Sequence, residues 1–302
     1  MTRILVTGGT GFIGSHVVRS LMQRGHDLTV VVRQSSDFSR LQDVRRDLQT
    51  VEREALLAKG MLKTIGKQDV IVHLATVYGR ANESSSQIVE ANVAYPLRLL
   101  DLALSENVSL FVSTDSYSTK PSNLYSHLER YCLSKKQFLE WARVLKSGHE
   151  FKFVNMRLEH PYGPNDAVEK FTRYVIRSCL QNVPRLSLTA GAQRRDFIYV
   201  GDVADAYAAV IGNQPKTDWS EYEVGTGTAL SVRDWVETVR RMTGGSTILG
   251  FGDLPLRQDE ILVSAADTSA LQGLGWTPAT PLSTGLARTI EWERTMIASE
   301  AA

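Results

Sequence analysis

Thr7-Gly8-Gly9-Thr10-Gly11-Phe12-Ile13-Gly14 follows the β-branched run Ile4–Thr7 and opens the helical pattern Ser15–Arg24. Strand, glycine-rich turn and helix in that order make a cradle for a dinucleotide pyrophosphate. Gly8 permits the tight turn, Gly11 lets a phosphate approach the backbone, and Gly14 lets helix and strand pack closely. Phe12 and Ile13 open the helix, where free N–H groups and the helix dipole favour an anion. A bare strand–helix turn would show the same glycines. The strand–loop–helix context favours cofactor binding.

The next apolar run, Leu28–Val32, ends at Arg33. An acidic residue there would take the ribose 2′-hydroxyl of NAD. An arginine suits the 2′-phosphate of NADP, with Ser35 and Ser36 as further donors. NADP is the expected cofactor, and NAD stays open because a single position decides between them.

Further along, short apolar runs alternate with helical patterns. The runs Ile4–Thr7, Leu28–Val32, Val70–Leu74, Leu110–Ser113 and Phe153–Met156 read as strands, with Phe197–Val200 as one more. The stretches Ser86–Ala103 and Tyr131–Leu145 repeat apolar residues at helical spacing. This order predicts an α/β, Rossmann-type doubly wound parallel sheet with a smaller C-terminal α/β lobe. Pro161-Tyr162-Gly163-Pro164 marks an exit from the sheet. The expected division is a dinucleotide-binding domain over 1–164 plus about 196–225, and a substrate-binding lobe over about 165–195 plus 226–302.

Composition narrows the function classes. The 302 residues carry 34 Lys plus Arg against 33 Asp plus Glu, a net charge of +1. That balance gives no global field to hold nucleic acid or an anionic membrane. A hydrophobic share of 43% argues against disorder. The two cysteines, Cys132 and Cys179, have neither disulfide-framework nor metal-ligand spacing, so no metal site is expected. Ile4-Leu5-Val6 is too short for a signal-peptide core, and no apolar run approaches the roughly 18 residues of a membrane span. A cytoplasmic protein is expected.

Tyr131 and Lys135 stand four residues apart and so share one helix face. A free tyrosine titrates near ~10, and a neighbouring ammonium favours its phenolate, which would make it a usable acid or base near neutrality. Thr114 follows the run Leu110–Ser113, at the carboxyl edge where open α/β sheets place ligands. Its hydroxyl can hold a reacting oxygen. The tyrosine–lysine spacing is common on amphipathic helices, and the glycine loop upstream gives it weight.

The chain resembles an extended short-chain dehydrogenase/reductase of the NAD-dependent epimerase/dehydratase family, which acts mostly on nucleotide sugars. The resemblance runs over nearly the whole chain. It is carried by Thr7–Gly14, His73-Leu74-Ala75, Asn92, Ser113-Thr114-Asp115, Tyr131 with Lys135, Arg157 to Pro164, Arg195 to Val200, Tyr222 to Gly227, and Leu274-Gly275-Trp276-Thr277-Pro278. It implies that Thr114 and Tyr131 contact the reacting oxygen, with Tyr131 as acid or base. Lys135 would grip the nicotinamide ribose and tune Tyr131. Leu74 and Ala75 would line the cofactor, Asp47 and Leu48 would contact adenine, and Pro161 would lie near the nicotinamide. Arg195 and Arg257 match positions that bind the diphosphate of a sugar nucleotide. Guanidinium forks suit that task, although an arginine of the Arg194-Arg195-Asp196 run could make a structural ion pair instead. The resemblance also implies a homodimer through the Ser86–Ala103 and Tyr131–Leu145 helices.

Departures from the family pattern narrow the chemistry. Dehydratases resemble Thr-Asp-Glu at the β-strand end, whereas here Thr114-Asp115 precedes Ser116. The missing carboxylate argues against dehydration. Glu159-His160-Pro161 stands where many members have an asparagine, and it makes His160 a candidate substrate contact or a hydrogen-bonded turn residue. Asp115 and, in a shortened loop, Tyr125 and His127 are further candidate substrate contacts. The segments Tyr131–Trp141 and Asn155–Asp166 resemble those of the bacterial CDP-abequose and CDP-paratose synthases within the family. That likeness implies NADPH-dependent reduction of the C4 ketone of a CDP- or dTDP-linked 4-keto-deoxyhexose. Three alternatives stay open: a nucleotide-sugar 4-epimerase with retained NAD, a non-catalytic cofactor-sensing or scaffold protein, and a reductase of small carbonyl compounds.

Overall fold

The computed structural model describes residues 1–57, 65–120 and 128–300. The strands in chain order are β1 (Arg3–Thr7), β2 (Asp27–Val32), β3 (Gln49–Glu52), β4 (Val70–His73), β5 (Leu110–Ser116), β6 (Lys152–Leu158), β7 (His160–Tyr162), β8 (Arg185–Leu188), β9 (Arg194–Arg195), β10 (Phe197–Tyr199), β11 (Trp219–Val224), β12 (Leu230–Ser231) and β13 (Ile248–Phe251). Seven of them form one sheet in the order β11-β6-β5-β4-β1-β2-β3. Every pairing in it is parallel.

Residues of β1 alternate between two cores. Ile4 and Val6 pack in one cluster with Val17, Leu21, Val30 and Val72. Leu5 packs in the other with Ile71, Phe111, Phe138 and Phe153. A parallel sheet covered on both faces needs apolar side chains on both, which is why its strands read as near-continuous apolar runs. Helices Phe12–Gln23 and Val200–Gly212 cover the first face, and Tyr95–Ser105 and Glu129–Lys146 the second.

Two sheet strands go beyond the sequence reading. β3 is an edge strand whose only buried residue is Val51, so its run lacks a strand-like alternation. β11 buries Ser220, Tyr222 and Val224 in strict alternation. The run Phe197–Val200 does not extend the central sheet. β10 pairs with β7 in a separate two-stranded ribbon.

A third core gathers Val175, Ile176, Leu186, Phe197, Trp235, Val239, Leu286 and Ile290. It draws chiefly on the stretches read as a smaller lobe. Leu271 and Trp276, from those same stretches, pack into the first core instead. Among the described residues, no helix is long and apolar enough to cross a membrane, and no cluster of His, Cys, Asp or Glu is placed to hold a metal.

Candidate active site

Strand order reverses at β1, which pairs with β2 on one side and β4 on the other. A crevice opens at such a switch point, outside the carboxyl ends of the strands. Register brings Thr7 beside Val31 and His73, and His73 beside Ser113. The glycine loop, Arg33, Leu74 and Thr114 thus reach one edge from four strands. The resulting cleft holds about 520 Å³ and is lined by Gly8, Gly11, Phe12, Ile13, Gly14, Arg33, Ser36, Leu74, Ala75, Thr114, Asp115, Tyr131, Lys135 and Pro161, among others.

The loop end is shaped by backbone. Gly8 has φ +71°, and a Cβ there would stand 2.5 Å from the backbone nitrogen of Ala75. A Cβ on Gly14 would stand 2.0 Å from the Gly8 carbonyl oxygen. Gly11 is the N-cap of helix Phe12–Gln23, and no side chain caps it. The first-turn N–H groups of a helix have no intrahelical acceptor. A glycine-lined cradle ending in uncapped donors fits a dinucleotide pyrophosphate. His73 stiffens the floor. Its Nδ1 meets the Thr7 hydroxyl at 2.7 Å, and burial, with the Lys135 charge, holds its pKa down to about 3, so the ring is neutral.

At the other end stand Thr114, Tyr131 and Lys135. Helix Glu129–Lys146 carries the tyrosine and the lysine, both buried. Lys135 Nζ donates to the Thr114 carbonyl at 2.9 Å and lies 6.0 Å from the centre of the Tyr131 ring. Burial lowers the Lys135 pKa to about 8. Tyr131 does not follow the sequence expectation of a favoured phenolate. Burial, then the neighbouring Tyr78 and Asp115, push its pKa well above the ordinary 10. The phenol is held protonated. The physical reason is that desolvation of the anion outweighs an ammonium whose bond goes to a carbonyl.

Several side chains here were invisible to sequence reasoning. Tyr78 stacks on Tyr131, with ring centres 4.8 Å apart. The Thr114 hydroxyl pairs at 2.7 Å with the hydroxyl of Tyr207, which is fully buried on helix Val200–Gly212. Asn92 clamps Val77, the residue before Tyr78, accepting from its N–H at 2.8 Å and donating to its carbonyl at 2.8 Å. It does so from a π-helical turn, Glu90–Ala94, a local widening that recurs at functional sites. The carboxylates at the ends of β5 and β6 are both engaged. Asp115 accepts from Ser116 N–H, the Thr119 hydroxyl and Asn155 Nδ2. Glu159 accepts from Lys120 Nζ at 2.6 Å and from the Ser264 hydroxyl. Thr114, Asp115, Asn92 and Glu159 stood in motifs read from the sequence, whereas Tyr78 and Tyr207 carried no such signal.

Other expected contacts lie elsewhere. Leu48 is buried in the first core with Leu41, Asp47 sits exposed on the adjoining 3-10 turn, and neither lines the cleft. Ser35 is exposed outside it, while the Ser36 hydroxyl accepts from Arg33 N–H at 2.9 Å. His160 packs against Tyr117, ring centres 4.1 Å apart, and against Phe197, rather than lining the cleft. Burial lowers its pKa. Arg195 is buried and ion-paired with Glu260. The structural pairing weighed for this run therefore exists, with Glu260 instead of Asp196. Asp196 accepts from the backbone of Thr226, Gly227 and Ala266. Arg257 is exposed, outside the cleft. Tyr125 and His127 lie outside the described residues.

Comparisons with known proteins agree with this geometry. The family model for the NAD dependent epimerase/dehydratase family matches residues 4–225. The chain is 34% identical over 284 residues to the CDP-abequose synthase of Salmonella typhimurium, covering 91% of this chain and 93% of that one. Among solved structures it is similar to MoeE5 in complex with UDP-glucuronic acid and NAD, with a TM-score of 0.82 and 26% identity over 97% of this chain and 99% of that one. The UDP-glucose 4-epimerase of Thermotoga maritima shares the fold, with a TM-score of 0.84 and 22% identity over 98% of this chain and 99% of that one. The chain is an enzyme of the NAD-dependent epimerase/dehydratase family.

Proposed function

We propose that the protein reduces the C4 ketone of a nucleotide-linked 4-keto-deoxyhexose, CDP- or dTDP-linked, at the expense of NADPH. The observation that carries this reading is the Tyr131 end of the cleft. Tyr131, its phenol held protonated by burial, lines the same cleft as Thr114, whose carbonyl accepts from Lys135 Nζ and whose hydroxyl pairs with Tyr207, while Asp115 and Glu159 are already engaged. Such a set can protonate a developing alkoxide. Among the described residues, Asp115 and Glu159, at the ends of β5 and β6, are both engaged and so are poor candidates for the base that removal of water would need. The likeness to a CDP-abequose synthase supports a CDP-linked sugar.

Gly8, Gly11, Phe12, Ile13 and Gly14 would hold the pyrophosphate, Arg33 and Ser36 the 2′-phosphate, and Leu74, Ala75 and Pro161 the walls. When bound, NADPH supplies the hydride. Tyr131 delivers the proton to the carbonyl oxygen, and Thr114, oriented by Tyr207, hydrogen-bonds the same oxygen. Lys135 keeps a positive charge within reach of that oxygen. Orientation and acid catalysis together lower the barrier. The test supplies purified protein with NADPH and a CDP- or dTDP-linked 4-keto-deoxyhexose. Loss of NADPH with appearance of the C4 alcohol is expected. Tightly held NAD, with interconversion of C4 epimers and no net cofactor use, would replace the reading with an epimerase.

A further inference from the structure

Glu159 follows β6 and lines the cleft, and its side chain is wholly buried. Register sets the end of β6 against the end of β5, with Met156 beside Thr114 and Leu158 beside Ser116. Glu159 therefore stands at the reacting end of the cleft. Its carboxylate accepts from Lys120 Nζ at 2.6 Å and from the Ser264 hydroxyl at 2.8 Å. Lys120 Nζ also donates to the Ala265 carbonyl at 2.7 Å and pairs with Glu223 at 2.9 Å. One ammonium is thus shared between two carboxylates, and its three N–H groups are all engaged. Burial opposes ionisation of Glu159, but hydrogen bonds from His160 and Lys120, with the Lys120 charge, hold its pKa below the ordinary carboxylate value.

The charge balance around this wall is negative. Arg157 pairs with Glu221 at 2.9 Å and reaches Asp115 at 3.6 Å and Glu223 at 3.7 Å, while Arg143 covers Glu221 from the surface. Among the described residues, Asp115, Glu159, Glu221 and Glu223 meet Lys120, Arg143 and Arg157, four carboxylates against three cations. Buried ion pairs of this kind are often no more stabilising than apolar side chains of similar volume. Their charges call for an account other than stability.

Reduction of a carbonyl breaks a C–H bond of a dihydronicotinamide. The hydride goes to the carbonyl carbon, the Tyr131 proton goes to the oxygen, and the nicotinamide ring is left as a cation. The donor ring has to face the carbonyl that Tyr131 and Thr114 hold, at the end of the cleft where Glu159 stands. Lys135, in the same cleft, disfavours a second cation there. We propose that the buried carboxylate of Glu159, held in place by Lys120 and Ser264, offsets that repulsion and makes the cleft prefer the oxidised nicotinamide over the reduced one. A fixed charge in a water-excluded wall acts on a developing cation without having to reorganise. The inference deepens, and rests on, the reading that a carbonyl is reduced at the Tyr131 end.

The test measures binding to the full-length protein by calorimetry, without substrate, using the oxidised and reduced forms of NADP and of NAD as probes. Glu159→Gln keeps the shape of the side chain, and Lys120 keeps Glu223 as its partner. This variant lowers the ratio of oxidised-form to reduced-form affinity about tenfold, the scale of one unit charge at close range in a protein interior. Glu223→Gln leaves Glu159 and its contacts in place and lowers the same ratio by less. An unchanged ratio in Glu159→Gln, with both forms weakened alike or not at all, overturns the inference and makes the ion pairs purely structural. If Glu159→Gln does not fold, an unchanged ratio in Glu223→Gln overturns it. A wild type that binds neither dinucleotide overturns the inference and the reduction reading together. Failure of the reduction reading alone shows in the product assay, as C4 interconversion without net cofactor use, while the ratio still falls in Glu159→Gln.

Discussion

Tyr131 and Lys135 occupy one buried helix face, and burial acts on them in opposite directions. It raises the tyrosine and lowers the lysine to about 8. Tyr131→Phe is expected to cut kcat on the order of 10³-fold, the usual scale of a positioned acid. Cofactor affinity by calorimetry stays unchanged, because the ring and its stack on Tyr78 persist. The lysine sets an alkaline limit. Its cation is present below about pH 8 and is lost above it, so the rate falls as pH rises through that value. Lys135→Arg should move this limb upward in a pH–rate profile, since a guanidinium stays charged. A limb that does not move would free Lys135 from that role. Neither shift could be read from spacing, which places the two side chains on one face and is silent about water. The partners that decide roles here are distant in sequence. Tyr207 is 93 residues from Thr114, and Glu260 is 65 from Arg195.

At the scale of elements, the glycine loop was legible because everything it requires is local: a β-branched strand, a turn and a helix start. Its tolerances differ in a way that can be measured. Gly14→Ala drives a Cβ to 2.0 Å from the Gly8 carbonyl oxygen, whereas Gly11→Ala brings one only to 3.2 Å of the same atom. Gly14→Ala should destabilise the fold by about 1–3 kcal/mol, the scale of overpacking. Gly11→Ala should leave thermal unfolding nearly unchanged and instead weaken dinucleotide binding, since the methyl group occupies the phosphate approach. Unfolding and calorimetry on the two variants separate these effects. β3 escaped notice because an edge strand with one buried residue carries no pattern. The run Phe197–Val200 was legible as a strand but not in its place. Its pairing with β7 is set by the third core, where Phe197 stacks on Trp235 with ring centres 5.0 Å apart.

Across the whole molecule, a near-zero net charge conceals a concentrated arrangement. Arg33, Arg40, Arg53, Lys135 and Lys170 all line one cleft. The arginines expected for the diphosphate lie outside it, and Arg195 is instead locked to Glu260. Asp166, which follows β7 and lines the cleft, carries its own pH signal. Burial raises Asp166 from 3.8 to about 6, despite Lys170 and Arg173 nearby. The folded state therefore binds this proton more tightly than the unfolded chain does, and its contribution to stability declines as pH rises from about 4 through about 6. Asp166→Asn should flatten thermal stability over that window. A variant as pH-dependent as the wild type would show that the carboxyl is not the cause.

One assay tests the proposed reduction of a C4 ketone most directly. Purified protein receives NADPH and a CDP-linked 4-keto-deoxyhexose, and cofactor and sugar are followed together. The expected result is one NADPH consumed for each C4 ketone reduced, with the rate falling on the order of 10³-fold in Tyr131→Phe. No NADPH consumption, together with interconversion of C4 epimers on tightly bound NAD, would contradict it.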